Sequence, residues 1–277
     1  MNARPRKALG QHFLSHPPLL AKIAAVTGAG SDHVVLEIGP GRGALTEAFL
    51  SRGATVVAIE RDPRLHAALL RQFAGRDFAL VAGDALALDW PALVTPWTSA
   101  GKSWLVAGNI PYNITSPLLT QALTAPLPAS VTFLVQREVA ERVVAPAGSE
   151  HYGGLSIGIQ AVAHATRKFT VDKRAFTPPP KVDSALLQLV PREPPLVAPE
   201  RIRDFRRLVT SLFSYRRKRM LRALREATGL DANAAEELLR LAGIDPDLRP
   251  ENVAVAGFVR LLDLMPLTPA WRDPPPT

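Results

Sequence analysis

The sequence predicts an α/β protein: a mostly parallel sheet covered by helices, followed by a small all-helical domain. Three observations carry this. Short apolar runs alternate with segments of helical periodicity through the first two thirds of the chain. A glycine-rich turn, Gly39-Pro-Gly41-Arg-Gly43, joins the first such run to the helical segment after it. Beyond the proline-rich stretch from Pro191 to Pro199 the pattern is helical only.

Taken in order, Arg4, Arg6 and Lys7 sit in a polar arm that ends at Gly10-Gln-His-Phe-Leu14. Pro17 and Pro18 open a helix to about Ala29, with Leu19, Leu20, Ile23 and Val26 at helical spacing. Val34–Ile38, Thr55–Ile59, Phe78–Val81 and Trp104–Ala107 read as strands, and Ala44–Ser51 and Arg64–Phe73 as helices. Strands alternating with helices mean βαβ units and parallel pairing. Val131–Gln136 reads as a fifth strand, after a helix near Pro117–Thr124 and before one that begins at Val139–Val143. Ser156–Ala163 and Leu186–Val190 are further strand candidates, suited to the far edge of the sheet.

The expected organisation is a domain over 1–190, a linker over 191–200 and a helical domain over 201–267. Ile202–Phe213, Lys218–Thr228, Ala232–Ala242 and Val253–Met265 are its helices. Gly229 is a C-cap, Asp231 an N-cap, and Gly243 ends the third helix. The proline-rich tail Thr268–Thr277 is expected to be disordered.

At 277 residues the chain can bury a substantial core. It has no cysteine, which excludes disulfides, Cys-ligated zinc and a Cys nucleophile. The six histidines show no paired spacing, so no metal site is expected. Met1–Leu14 is basic but lacks the apolar stretch and cleavage site of a signal peptide. No run approaches the roughly 18–20 apolar residues of a membrane span. A cytoplasmic protein without a membrane partner is expected, and a monomer, because no apolar stripe is left over.

Lys and Arg number 33 against 25 acids, a net charge of +8. The excess is concentrated. Arg201 to Arg225 holds ten basic residues and one acid, Asp204, a net of +9 in 25 residues. A solvated helix face usually mixes signs. This one does not, and Phe213 and Tyr215 lie beside Arg216, Arg217, Lys218 and Arg219. Arginine forks bind phosphate oxygens in pairs, so the cluster points to nucleic acid.

Chemistry-bearing residues stand at strand ends. The glycine turn after Glu37 allows close backbone approach and offers free N–H groups at a helix start. Its spacing, G-x-G-x-G, departs from the dinucleotide fingerprint. Glu60 ends the second strand, where a carboxylate can accept from both ribose hydroxyls; Asp62 is the weaker choice because Asp62-Pro63 looks like a helix start. Asp84 ends the third strand and can accept from an adenine amino group. Asn109-Ile-Pro-Tyr112 ends the fourth, combining an amide, a rigid turn and an aromatic face. That set suits a flat base held by stacking while its exocyclic amine is hydrogen-bonded.

These motifs identify a resemblance. Gly10–Leu14, Glu37–Gly43, Glu60, Gly83-Asp84, Asn109–Asn113, Phe176–Ser184 and Phe213–Lys218 resemble the KsgA-type family, the S-adenosylmethionine-dependent small-subunit (16S) ribosomal RNA adenine dimethyltransferases. The likeness spans nearly the whole chain. The family usually has Asn where this chain has His12, and Leu is common in place of Ile110. The resemblance implies a Rossmann-like S-adenosylmethionine methyltransferase sheet with a helical RNA-binding domain. It implies that His12, Leu14, Gly39, Glu60, Asp84 and Asn109 line the cofactor pocket with the turn glycines Gly41 and Gly43. Glu60 would take the ribose and Asp84 the adenine end.

For the acceptor base, Asn109 and the carbonyl of Ile110 or Pro111 would bind the N–H groups of an adenine amine. Tyr112 would stack on the base, and the resemblance puts Phe176 on its other face. The partner implied is small-subunit rRNA. The nearest rival is a large-subunit rRNA adenine methyltransferase of the antibiotic-resistance type, disfavoured by Phe176–Ser184 and the arginine-rich helices. DNA is not an expected substrate, since DNA adenine enzymes commonly carry Pro-Pro-Tyr after the acceptor Asp or Asn. A ribosome-assembly factor with secondary activity is the rival from another class. Reversing Arg216, Arg217 and Arg219 to Glu should weaken RNA binding and flatten its salt dependence, read from binding isotherms across a salt series; an unchanged slope would remove this cluster from the interface.

Overall fold

The computed structural model describes residues 11–265, so the Arg4–Lys7 arm and the Thr268–Thr277 tail lie outside the described residues. The chain divides into two compact units. The first comprises Met1–Ala140 and Ala165–Pro191, the second Glu141–His164 and Arg192–Thr277. A single cut near residue 190 therefore misses one excursion: the segment from Glu141 to His164 goes to the second unit.

The first unit is built on a sheet. After β1 (Phe13–Leu14) and α1 (Pro17–Thr27) come β2 (His33–Ile38), α2 (Ala44–Leu50), β3 (Thr55–Glu60), α3 (Pro63–Gln72) and β4 (Phe78–Ala82). Then follow α4 (Trp90–Thr98), β5 (Ser103–Asn109), α5 (Thr115–Ala122), β6 (Ser130–Gln136) and α6 (Arg137–Val144), in which the division between the units falls. Strands β7 (Ala163–Val171), β8 (Phe176–Thr177) and β9 (Ser184–Pro191) complete the set. The main sheet runs β4-β3-β2-β5-β6-β9-β7, and β1 pairs with β8 separately. Pairs among β4, β3, β2, β5 and β6 are parallel, and β6–β9 is antiparallel.

β2 and β3 are apolar on both faces because helices cover both, as parallel strands require. Leu36, Val56, Ala58, Phe49, Leu65 and Leu69 are buried. Helix starts follow their caps: Asp62 accepts from the Arg64 N–H at 3.2 Å, with Pro63 in the first turn. Helix α4, unread in the sequence, has the same signature in Asp89-Trp-Pro, and Pro96 inside it hid its periodicity.

Two strand assignments change. Residues 156–163 are not a strand: α7 (Gly154–Gln160) occupies most of that run. Its alternating Ile157, Ile159 and Ala161 imitate strand periodicity. The polar partners decide for helix. Ser156 Oγ accepts from the Gly153 N–H at 3.1 Å, and Gln160 Nε2 donates to the carbonyls of Val143 and Ala145 at 2.9 Å each. Nor is 186–190 at the sheet edge. β9 lies between β6 and β7, and β7 is the edge. β7 carries no apolar run to mark it in the sequence, because its residues are mostly polar and exposed, as edge strands often are.

In the second unit α7 is joined by α8 (Ile202–Ser214), α9 (Met220–Thr228), α10 (Ala232–Leu241) and α11 (Val255–Asp263). Phe205, Leu208, Val209 and Leu212 form the buried stripe of α8, and Met220, Ala223, Leu224 and Ala227 that of α9, both at helical spacing. Gly229 closes α9 at φ 78°, Asp231 caps α10, and Gly243 has φ 63°. Among the described residues no helix is long and apolar enough to cross a membrane.

Gly108 fixes how closely β5 can approach the end of β2. A Cβ there would collide with the backbone carbonyl of Ile38. Gly108→Ala should cost roughly 1–3 kcal/mol by overpacking and lower Tm by several degrees. Thermal unfolding checks this, and an unchanged Tm would refute the close approach.

Candidate active site

Parallel strands deliver their carboxyl ends to one edge, where an open sheet binds ligands. There the first unit has a cavity of about 300 Å³, within the range of small-molecule sites. His12, Leu14, Gly39, Gly41, Glu60, Asp84, Asn109, Ile110, Pro111 and Tyr112 all line it.

Gly39 and Gly41 adopt φ 69° and 58°, the left-handed region that favours glycine. Gly39 faces open space: a Cβ would find no atom within 4 Å. Glu60 holds the loop. Its Oε2 accepts from the Gly41 N–H at 3.1 Å and its Oε1 from the Asp62 N–H at 2.7 Å. Each oxygen keeps a second lone pair for a ligand. Asp84 Oδ1 accepts from the Leu86 N–H at 3.1 Å, and Arg61 pairs with Oδ2 at 3.2 Å.

The Asn109 amide has a determined polarity. Its Nδ2 donates to the His12 backbone carbonyl at 2.7 Å. A carbonyl only accepts, so Oδ1 remains as the free acceptor. The Pro111 carbonyl already accepts from the Ile114 N–H at 3.3 Å and the Thr115 hydroxyl at 3.4 Å. That leaves the Ile110 carbonyl as the better second acceptor. Tyr112 shares a hydrogen bond with Ser184 Oγ at 2.7 Å, and burial raises its phenol pKa.

The N-terminal segment contributes more than its motif suggested. Phe13 packs on Gly41, whose Cβ would meet that ring at 3.0 Å, and the Arg42 guanidinium lies over the Phe13 ring, 4.6 Å from its centre. Gln11 Nε2 donates to Asp62 at 3.2 Å. His12 Nδ1 donates to the Pro178 carbonyl at 2.8 Å, and the ring faces Tyr112 with centres 5.8 Å apart. No sequence pattern announces these contacts, because they join segments far apart in the chain.

Two expected site residues lie elsewhere. Gly43 is not on the cavity wall. It caps α2 at φ 77°, and a Cβ would meet the Phe73 ring at 2.6 Å, so its role is steric. Phe176 is 2% exposed and packs in the core; Thr177 beside it lines the cavity instead. Arg216, Arg217, Lys218 and Arg219 belong to the second unit, where all four are exposed. Arg219 reaches Asp247 at 2.7 Å.

With this geometry in hand, comparison with known proteins decides the family. The profile of the ribosomal RNA adenine dimethylases matches residues 2–265. The chain belongs to that family. A ribosomal RNA small subunit methyltransferase A of Phenylobacterium zucineum is 43% identical over 98% of this chain and 91% of its own length. Its counterpart in Geobacter metallireducens is 40% identical over 93% and 94%. Among solved structures, a dimethyladenosine transferase from Plasmodium falciparum superposes with TM-score 0.78 at 25% identity, covering 90% of this chain and 96% of that one. The 23S rRNA methyltransferase ErmE gives 0.70 at 27% identity, covering 91% and 98%. As a family member the chain is an rRNA adenine dimethyltransferase that uses S-adenosylmethionine.

Glu37 is the unusual acid of the site. It is 1% exposed, lines the cavity and accepts from Thr46 Oγ at 2.6 Å. Burial pushes its carboxyl up to about 8, the Thr46 bond opposes this, and nearby Glu60 adds to it. Glu60 is also raised, chiefly by burial. A raised carboxyl stabilises the fold fully below its unfolded value, and that contribution is lost as pH rises to the folded value. For Glu37 the window runs from 4.5 to about 8. Asp62 is lowered by Arg64, so its contribution falls only in acid and does not mask this window. Stability should decline from pH 5 to pH 8, and Glu37→Gln should flatten the decline. Urea midpoints at both pH values test this; an equal decline in the variant would count against Glu37 as the source.

Proposed function

We propose that the chain dimethylates, at N6, two adjacent adenines in the 3′-terminal hairpin loop of 16S rRNA during ribosome biogenesis. The observation that carries the chemistry is the polarity of Asn109, whose donor is spent on the His12 carbonyl. Two acceptors, Asn109 Oδ1 and the Ile110 carbonyl, are then available to an amine with two N–H groups. Adenine N6 is a weak nucleophile because its lone pair is delocalised into the ring. Accepting both N–H bonds draws the nitrogen toward tetrahedral geometry and exposes that pair. Tyr112 supplies a stacking face, a contact worth roughly 1–3 kcal/mol per base. The base must leave its stack to reach the pocket.

The cavity fits S-adenosylmethionine. Gly39 leaves its side open, Glu60 offers spare lone pairs for the ribose hydroxyls, and Asp84 offers a carboxylate for an adenine amine. Leu14, Ile38 and Ile59 give it apolar walls. S-adenosylmethionine, when bound, supplies an electrophilic methyl group on a sulfonium sulfur. The protein's part is positioning, which can provide much of a rate enhancement. No strong general base is needed, since the methylated amine loses its proton readily.

The relatives named for the small ribosomal subunit favour 16S rRNA over large-subunit RNA. In the second unit Arg219, Arg222 and Arg225 line one cleft, a surface suited to phosphates. The reading carries with it a monomer acting in the cytoplasm. Asn109→Ala should lower turnover on unmethylated small subunits at least a hundredfold while S-adenosylmethionine binding is partly kept. Labelled-methyl transfer with calorimetry of cofactor binding tests both parts, and near-normal turnover would refute the amine-orienting role.

A further inference from the structure

The acceptor slot has one evident wall, Tyr112, and Phe176 is buried away from it. Another ring stands opposite Tyr112. The His12 imidazole faces it with an interplanar angle of 24°. We propose that His12 is the second stacking face for the target adenine, so that the base enters between the His12 and Tyr112 rings. This rests on the adenine-acceptor reading above and adds a base-positioning residue to it.

The distances suit a slot that is closed until a base enters. The ring centres are 5.8 Å apart. A base between two parallel rings needs about 7 Å, twice the ~3.4 Å repeat of stacked nucleotides. The two rings must therefore part to admit a base. The His12 ring can make that movement by side-chain rotation. Its backbone carbonyl, which holds Asn109, need not move. The amine-orienting bond and the stacking wall thus come from one residue and shift independently.

Both walls are braced from a single loop. The Pro178 carbonyl holds His12 Nδ1, and Ser184 Oγ holds the Tyr112 hydroxyl. The segment Phe176–Ser184 therefore bears on the base through its ends rather than through the Phe176 ring.

Three substitutions separate a stacking face from a structural tether. His12→Ala removes both ring and tether. His12→Asn can keep a donor for Pro178 without a ring. His12→Phe keeps a ring without the donor. Each is assayed for kcat and KM on unmethylated small ribosomal subunits, with Tyr112→Ala alongside and S-adenosylmethionine affinity measured by calorimetry. The expected result, with each variant assayed at saturating S-adenosylmethionine, is a fall in kcat/KM of tenfold or more for the Ala and Asn variants and recovery to within threefold of the parent for Phe. Recovery by Asn but not by Phe would overturn the proposal and leave His12 as a tether. So would parent-like kinetics in all three variants, or equal loss in all three. If Tyr112→Ala is also silent, or the parent labels no adenine, the adenine-acceptor reading itself fails, and this proposal with it.

Discussion

The structure depends on the buried carboxylate of Glu60. It receives the Gly41 N–H on one oxygen and the Asp62 N–H on the other, so it ties the glycine loop to the turn after β3. Phe13 then packs on that loop, and Asp62, held by Arg64, accepts from Gln11. The N-terminal segment is fixed at two points in this way, and its His12 carbonyl meets Asn109 at the end of β5. The chain thus runs from one anchored acid to the amide that we propose orients the acceptor amine. A buried charged group needs its lone pairs filled, and here filling them with backbone donors is what shapes the loop.

Much of this was legible in the sequence. Gly39, Gly41, Glu60, Asp84 and Asn109 were readable because each couples a residue type to a strand end, and a parallel sheet sends those ends to one edge. The helix boundaries at Asp62, Gly229 and Asp231 were readable for the same local reason, since caps depend on neighbours in sequence. What failed were features set by distant packing. Gly43 looks like its fellow turn glycines, and only the position of Phe73 shows that it is there for steric fit. Phe176 looks like a base-stacking aromatic. In β8, adjacent side chains turn to opposite faces, and Phe176 takes the core side opposite Leu14.

The two acids nearest the glycine loop play opposed electrostatic parts. Glu60 is buried but supplied with two backbone donors, whereas Glu37 is buried with the Thr46 hydroxyl as its donor and Glu60 as a nearby acid. Near neutrality Glu37 is mostly a neutral acid, and it limits the negative charge that the site concentrates. Two full charges so close together in a low-dielectric wall would repel strongly.

The bond between Asn109 Nδ2 and His12 has a further consequence. A side-chain amide is a two-state rotor: turned by half a revolution, it presents hydrogens where it had presented oxygen. Nothing in the Asn109–Tyr112 motif selects between these states. The selector is a carbonyl 97 positions earlier in the chain. The segment around His12 therefore works as a polarity key. A chain clipped or displaced there could retain its sheet and its cavity, yet offer the incoming amine a donor in place of an acceptor.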